Sequence, residues 1–324
     1  MKKILTYILM IAVTGILVTG CDTNVDGDRA GYSLDSFKGG DKALDFSFSE
    51  DSPPELIRDQ GIQPFSIRFD IDNEGEFDIP EGEGHVALRN IDYDTFNVEN
   101  HSKEIGELVG YRRVGGNELP GGSTYVSFTG LSYNDSIGSG SYTTSIYGDI
   151  CYPYNTTAVA ELCVSGDPLQ AEDELLDCNL NGENDYSNSG APVKIENVEQ
   201  SAHGQNSISF QFDIVHEPQS DNSKVFERGS TDSECRINGE RPSSAYQEEG
   251  KVEYSVDTGI EGLDCETTGQ GVNQISLGSN ERHTVSCVQD TSGEGDYGTP
   301  IQINLAYDYW ERESEEVTIE HTTN

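Results

Sequence analysis

The sequence predicts an all-β protein, and three observations support this prediction. Apolar and polar residues alternate with a period of two in several segments, most clearly Phe65 to Ile71, Ile208 to Ile214 and Ile301 to Tyr307. This period is expected of a strand that buries one face. Clusters of Gly, Asn, Asp and Pro separate the segments, and helix patterns are few. We therefore expect two tandem immunoglobulin-like antiparallel β-sandwich domains.

The predicted strands fall into two groups along the chain. The first group lies within residues 44–164 and the second within residues 191–324, and each range is close to the size of one immunoglobulin-like sandwich. Between them the apolar pattern stops, and residues 165–190 are predominantly acidic and polar. We predict an acidic linker there, with one sandwich on either side.

The first twenty residues predict an exported protein. Lys2 and Lys3 precede an apolar run from Ile4 to Val18, which has the order of charge and apolarity found in a secretory signal. The sequence Val18-Thr19-Gly20-Cys21 resembles the lipobox of bacterial and archaeal lipoproteins, in which the cysteine is lipidated and becomes the new N-terminus. Residues 1–20 are thus predicted to be a lipoprotein signal peptide. An uncleaved N-terminal anchor is the alternative, and it gives the same topology.

Residues 21–43 are predicted to be a flexible tether because they are rich in Asp, Gly and Ser and contain few large apolar side chains. Lipid on Cys21 would make the membrane the first partner of the protein. We expect the chain to lie on the extracellular face of the cell membrane.

The charge of the chain is strongly negative. It contains 59 acidic and 19 basic residues, for a formal net charge of -40, and loss of Lys2 and Lys3 with the signal peptide would give -42. Binding of nucleic acid requires Lys and Arg against phosphate, so no nucleic-acid partner is expected. The acids are spread along the chain, as in proteins from high-salt environments, where salt shortens the Debye length from about 10 Å at 0.1 M to about 3 Å at 1 M. We predict a halophilic source.

Six cysteines follow Cys21, and an even number in an exported chain predicts three disulfides. There is no Cys-x-x-Cys pair or histidine cluster, which argues against structural zinc. The connectivity stays open. The six are Cys151, Cys163, Cys178, Cys235, Cys265 and Cys287.

Strand parity bears on the pairing of these cysteines. Tyr142 to Cys151 and Thr157 to Val164 are predicted as separate strands, and in each the cysteine lies on the face opposite the apolar residues. A hairpin centred on Tyr154-Asn155 would place Cys163 too far from Cys151 for a bridge. We favour Cys163 with Cys178. The six cysteines divide three and three between the domains if Cys178 is counted with the first.

Two further patterns concern modification and metal binding. Asparagine sequons occur at Asn100, Asn134 and Asn155, in polar, turn-like sequence that suits glycosylation of an exported chain. The spacing of Asp70, Asp72, Glu74 and Glu81 matches that of a calcium-binding EF-hand loop. Its flanks have the period of strands rather than helices, so an acidic hairpin turn is the favoured interpretation and calcium the alternative. No other cofactor is expected.

The sequence does not predict an enzyme. It has no Gly-x-Ser-x-Gly elbow, no His-Glu-x-x-His motif and no close pair among its six histidines, so no catalytic residue is assigned. Trp310 is the only tryptophan. Packing at a strand end is its favoured role, and stacking on a sugar ring or partner surface is the alternative.

Four short segments form a recognisable set of motifs: Pro53-Pro54 with Gly61, the strand and turn from Pro64 to Asp78, Cys151 to Tyr154, and Ala191 to Gln200. Together they resemble archaeal cell-surface lipoproteins with tandem CARDB-type immunoglobulin-like domains. The resemblance implies adhesion, scaffolding or envelope architecture, with a protein or glycan partner at the cell surface. A lipid-anchored solute- or ion-binding protein that delivers cargo to a transporter is the alternative, and it would require an α/β body with helices.

Overall fold

Two antiparallel strands of 24 residues each run along the centre of the fold. The computed structural model describes residues 34–114, 117–171, 178–236, 248–265 and 273–323, and a short 3-10 helix (Leu34–Ser36) precedes the first strand. In chain order the strands are β1 (Leu44–Phe48), β2 (Leu56–Arg58), β3 (Phe65–Asn73), β4 (Gly84–Arg89), β5 (Ser102–Ile105), β6 (Arg112–Val114), β7 (Asn117–Leu119), β8 (Ser123–Leu131), β9 (Ser141–Val164), β10 (Gly182–Glu183), β11 (Tyr186–Asn188), β12 (Val193–Ala202), β13 (Ser207–His216), β14 (Lys224–Phe226), β15 (Lys251–Asp257), β16 (Leu263–Cys265), β17 (Gln274–Ser276), β18 (Arg282–Asp290) and β19 (Tyr297–Glu320). The predicted all-β class is confirmed.

β9 and β19 pair with each other over their whole length, from Ser141 opposite Glu320 to Val164 opposite Tyr297. At about 3.3 Å per residue this ribbon is about 80 Å long. It is the centre of a nine-stranded sheet with the order β17-β15-β19-β9-β4-β5, and β2, β11 and β14 pair along the remaining edges of the ribbon. A small β6-β7 hairpin lies apart from this sheet.

A three-stranded sheet, β1-β3-β8, covers one end of the ribbon. The ring of Phe69 stacks on Phe46 at 5.0 Å between centroids and meets Phe128 edge-on at 6.3 Å. Beneath it lies Gly148 of β9, where an added Cβ would come within 2.2 Å of the Phe69 ring. The sheet therefore packs on the face of β9 that also carries the fully buried Ile150.

A five-stranded sheet, β10-β12-β13-β18-β16, covers the other end. Phe212 of β13 meets Tyr254 of β15 at 6.3 Å, and Tyr254 pairs with Leu305 of β19. Side chains alternate along a strand, so parity along the ribbon places this contact on the same face as Gly148. The architecture is therefore two sandwiches that share one long sheet.

Four tyrosines fill the space where the two sandwiches meet. Tyr152 pairs with Tyr309 and Tyr154 with Tyr307 across the ribbon, and all four are 1 % exposed or less. The hydroxyl of Tyr154 donates to the carbonyl of Gly190 at 2.7 Å. Because a buried hydroxyl requires a partner, these hydrogen bonds fix the chain segments at the junction.

The predicted hairpin at Tyr154-Asn155 is wrong, because β9 continues through these residues as one strand. Pro153 signalled a turn, yet it pairs with Asp308 within the ribbon. On the other side of β9, pairing with β4 ends at Cys151 and pairing with β11 begins at Ala158. Proline is tolerated where a strand has such an open edge.

Two predicted connecting segments pack against the body. The described part of residues 165–190 contains β10 and β11, and Leu180 within it is fully buried. Residues 34–43, the described part of the predicted tether, are held by the carboxylate of Glu76, which accepts from the backbone N–H groups of Lys38 and Gly39 at 3.0 and 3.1 Å. Both segments are thus structured where the structure describes them.

Residues 32–324 form one compact unit, in which strands from both predicted domains belong to the same nine-stranded sheet. The immunoglobulin-like topology of each half stays a prediction. The predicted signal peptide and Cys21 lie outside the described residues. Within the described ranges, no helix has the length and apolarity needed to cross a membrane.

The six cysteines form three disulfides, as predicted. Cys163 bonds to Cys178, the pair that the sequence favoured, and Cys265 bonds to Cys287 on the neighbouring strand. The third bond joins Cys151 to Cys235 and so links the two predicted domains. With three cysteines on each side, one bond has to join the two halves, and it forms here because the shared sheet brings the loop before residue 236 back onto β9.

Candidate functional site

A loop held by a disulfide lies on the outer face of the long sheet, opposite the two small sheets. Cys235 in this loop bonds to Cys151 of β9. The buried carboxylate of Asp308 in β19 accepts hydrogen bonds from the backbone N–H and the hydroxyl of Thr231, at 3.0 and 2.8 Å. Residues 231–236 are therefore fixed to both central strands.

Two adjoining grooves flank this loop, and we refer to them together as the Cys235 groove. The first has a volume of about 430 Å³ and the second about 310 Å³, and they share His85 and Ser233. Residues that line the first include Asn100, His101, Lys103 and Glu104, and residues that line the second include Gly82, Pro153, Arg228 and Thr231.

Charged groups of both signs line the Cys235 groove. Nη1 of Arg228 donates to the carbonyls of Tyr154 and Tyr307 at 3.2 and 3.3 Å, and no carboxylate of the described residues forms an ion pair with it. His101 lies 3.0 Å from Glu234, and this hydrogen bond lowers the pKa of the Glu234 carboxyl. The Cys235 groove is therefore a concave surface lined by polar groups of both signs.

Next to the groove, two arginines share one buried carboxylate. Arg312 binds Asp149 through two hydrogen bonds of 2.6 and 2.9 Å, and Arg89 lies 3.5 Å from the same side chain. The Arg312 guanidinium lies 5.0 Å from the ring centres of both Tyr147 and Trp310. Asp149 is 2 % exposed, so this group fixes β4, β9 and β19 together.

Trp310 does not lie at a strand end, as the sequence suggested, but near the middle of β19. It packs against Ala87 and the Cys151–Cys235 disulfide. The packing interpretation is supported, and its position is corrected.

A further concavity of about 520 Å³ lies on the five-stranded sheet. Its polar side chains hydrogen-bond to one another across the strands, with Gln211 donating to Glu199 at 2.8 Å and Ser201 lying 2.9 Å from Ser209. This is the expected composition of the wet face of an antiparallel sheet.

A connected set of polar side chains lies at the junction of the sandwiches. Glu281 lies 3.0 Å from His216, which lies 3.5 Å from the hydroxyl of Tyr309. That hydroxyl accepts from the backbone N–H of Gln219 at 3.3 Å, and the Gln219 side chain donates to Glu311 at 3.0 Å. We call these five residues the junction network.

Glu311 is buried, with 5 % of its surface exposed, and no cation of the described residues forms an ion pair with it. Burial raises its pKa to about 7 against the opposing effect of the hydrogen bond from Gln219. The nearby carboxylates of Glu313 and Asp45 add to the rise, whereas Lys42 opposes it. Burial lowers the pKa of His216, which is 4 % exposed, although Glu281 acts in the opposite direction. Burial therefore favours the neutral form of both groups.

The predicted calcium ligands do not converge. Asp70 and Asp72 lie in β3, where they pair with Ser47 and Asp45 of β1, and Glu74 forms an ion pair with Lys42 at 2.9 Å. Among the residues that the structure describes, no group of three or more His, Cys, Asp or Glu side chains is placed to hold a metal ion.

The favoured hairpin interpretation of this segment is also wrong. The chain leaves β3 in the three-stranded sheet and enters β4, which lies in the nine-stranded sheet. Residues 74–83, including Glu81, thus connect the two layers of one sandwich. The sequence could not show this, because a hairpin and a crossover between sheets have the same turn residues.

The three sequons lie in different surroundings. Asn100 and Asn134 are exposed in connections between strands, and Asn100 lines the Cys235 groove. Asn155 is half-buried within β9, and its side-chain oxygen accepts from Arg228 at 3.0 Å. Glycosylation at all three positions stays a prediction.

Sequence reasoning missed the junction network. His216 was one of six scattered histidines, and Glu311 was one of 59 acidic residues. The one available signal was parity, because Glu311 lies two residues after Tyr309 and therefore on the same face of the strand.

No model of a known protein family matches the sequence, and no curated protein matches it. Among solved structures, envelope protein VP37 of White Spot Syndrome Virus is similar over 49 % of this chain and 97 % of its own, with 8 % identity and a TM-score of 0.22. The serine-rich repeat adhesion glycoprotein Srr1 of Streptococcus agalactiae is similar over 90 % of this chain and 100 % of its own, with 7 % identity and a TM-score of 0.16.

The secreted serine protease VesC of Vibrio cholerae is similar over 82 % of this chain and 50 % of its own, with 10 % identity and a TM-score of 0.18. TM-scores of this size carry no argument about fold or function.

Proposed function

We propose that the protein is a non-catalytic structural or binding protein of the cell surface, held on the extracellular face of the membrane by lipid on Cys21. The observation that carries this proposal is the set of three disulfides, one of which joins the halves of the sequence. Such bonds form and persist in oxidising compartments outside the cytosol. The lipobox-like Val18-Thr19-Gly20-Cys21 supplies the anchor.

The shape of the sheet supports a role in display. A ribbon about 80 Å long, braced by a small sheet at each end, is a rigid frame that presents a long outer face. The Cys235 groove on this face is the surface that we assign to a protein or glycan partner. High-salt adaptation and an origin among archaeal surface lipoproteins belong to the same proposal. The solute-binding alternative expected helices, and the all-β fold does not favour it.

The test is the cellular location of the protein and of a Cys21→Ser variant. We expect the wild-type chain in the membrane fraction, accessible to protease added to intact cells, with a lipid mass on its N-terminal cysteine. The variant should appear uncleaved or in the medium, without the lipid. Recovery of the wild-type chain from the cytosol with free thiols would overturn the proposal.

A further inference from the structure

The side chain of Gln219 links the second sandwich to β1, the first strand of the first sandwich. Its carboxamide oxygen accepts from the backbone N–H of Ala43, and its nitrogen donates to the carbonyl of Leu44 at 3.1 Å. The same nitrogen donates to Glu311 at 3.0 Å. Gln219 belongs to the connection after β13, so one side chain ties the start of β1 to the second sandwich.

Two titratable groups are connected to Gln219, one directly through its side chain and the other through Tyr309 and the Gln219 backbone. Glu311 receives the donor nitrogen, and Tyr309, which receives the Gln219 backbone N–H, lies against His216. An ionised Glu311 would be a buried charge beside the carboxylates of Asp45 and Glu313, with Lys42 as the nearby cation. The buried Tyr152 of β9 also interacts electrostatically with Glu311.

An ionised His216 would likewise be a buried charge. Glu281 and Tyr309 face its ring, and Lys224 and Glu249 line the same cavity of about 380 Å³. Burial of either charge costs free energy, which opening of the junction would recover by hydration. The link that Gln219 forms between β1 and the second sandwich is therefore most stable when Glu311 and His216 are both neutral.

We propose that the junction network is a pH-sensitive tie, which holds the start of β1 closed in mildly acidic conditions and loosens it when Glu311 loses its proton or His216 gains one. β1 follows residues 34–43, the described part of the N-terminal segment. The junction network therefore controls how firmly this segment is fixed to the rest of the protein.

The sign of each contribution follows from the direction of its pKa shift. Glu311 has a raised pKa in the closed state, so the closed state binds its proton more tightly, and its contribution falls as pH rises from about 4.5 to about 7. His216 has a lowered pKa, so its contribution falls as pH drops below the ordinary value of 6.5. The two groups act in opposite directions and can be separated by substitution.

Hydrogen exchange of the peptide that contains Ala43 and Leu44 tests the proposal, after correction for the intrinsic exchange rate at each pH. In a variant with His216→Gln, we expect the opening constant of this peptide to rise about a hundredfold between pH 5 and pH 8, since each unit of pKa shift is a factor of ten. Adding Glu311→Gln should abolish most of that rise, whereas adding the exposed Glu316→Gln should leave it intact.

A peptide from β13, such as residues 207–212, serves as the internal reference and should not change. Equal rises with and without Glu311→Gln would overturn the proposal, as would constant protection across the range in the His216→Gln background. If the Glu311→Gln variant folds poorly, Glu313→Gln in the His216→Gln background provides a second test of the proposal. It removes a neighbouring carboxylate and should reduce the rise without removing the group that titrates.

Discussion

Phe69 rests directly on the backbone of Gly148, with no room between them for a methyl group. The contact joins the central strand of the three-stranded sheet to the long ribbon, and it sets the spacing of the first sandwich. Phe69 is fully buried, with Phe46 and Phe128 around it. The strand position thus requires glycine for close approach rather than for a turn.

A Gly148→Ala substitution should destabilise the protein by about 1 to 3 kcal/mol, the usual cost of overpacking a core. Urea unfolding at constant salt measures the change. Gly106→Ala is the matched control, because an added Cβ there meets no atom within 4 Å. If both variants had the stability of the wild type, the close approach of Phe69 would be contradicted.

Removal of the Cys151–Cys235 disulfide by a double substitution to serine should cost about 4 to 5 kcal/mol in the chain-entropy account, because the bond closes a loop with a sequence separation of 84 residues. The Cys163–Cys178 bond has a separation of 15, and its removal should cost about 3 kcal/mol. Denaturant unfolding of both double variants provides the comparison. The ranking would fail if the short loop contributed more.

The melting temperature should rise with salt from about 0.1 to 3 M, with most of the rise below about 1 M, where the Debye length is already short. The cause is self-repulsion among 59 acidic residues, of which the 19 basic residues can neutralise only a minority. A variant with the exposed Glu315 and Glu316 replaced by lysine should show a smaller rise. A flat curve for the wild type argues against high-salt adaptation.

Asp59 should make the C-terminal end of β19 sensitive to acid. Burial alone would raise its pKa, but hydrogen bonds from His321 and from the backbone N–H groups of Thr322 and Ile137 lower it well below the ordinary value of 3.8. Because a lowered pKa stabilises the folded state only above the ordinary value, the wild-type protein should lose this stabilisation as pH falls below about 4.

Asp59→Asn should lower the melting temperature at pH 7 and weaken its dependence on pH between about 4 and 2. Limited proteolysis should also cut the C-terminal residues of this variant earlier. The exposed Asp51→Asn is the control and should behave as the wild type does. If the melting temperatures of both variants depended on pH in the same way, Asp59 would not be the cause of the acid sensitivity.

Much of the strand pattern was predictable, because burial of one face leaves a period of two in the sequence. The alternating segments Phe65 to Ile71 and Ile208 to Ile214 form the cores of β3 and β13. The length of β9 and β19 was not predictable. Pro153 signalled a break in the first, and the polar run from Arg312 to Glu316 concealed the continuation of the second.

The candidate sites were harder to predict than the strands. The even number of cysteines after Cys21 indicated three disulfides, and that prediction depends on composition rather than on contacts. The junction network depends on contacts between residues as distant as Ala43, Gln219 and Glu311, which only the shared sheet brings together. A buried glutamate has no local sequence signal, because its environment is supplied by other strands.

The pairing of β9 with β19 also affects how the chain reaches its native state. β19 is the last strand of the described residues, and it pairs with β9, which lies well before it in the sequence. Contacts between residues so distant in sequence form slowly. Until β19 pairs with it, the half of the chain that contains β9 exposes an unpaired strand edge. Net charge far from zero opposes association between chains. The acidity of the protein therefore hinders aggregation through this edge until β19 has paired with β9.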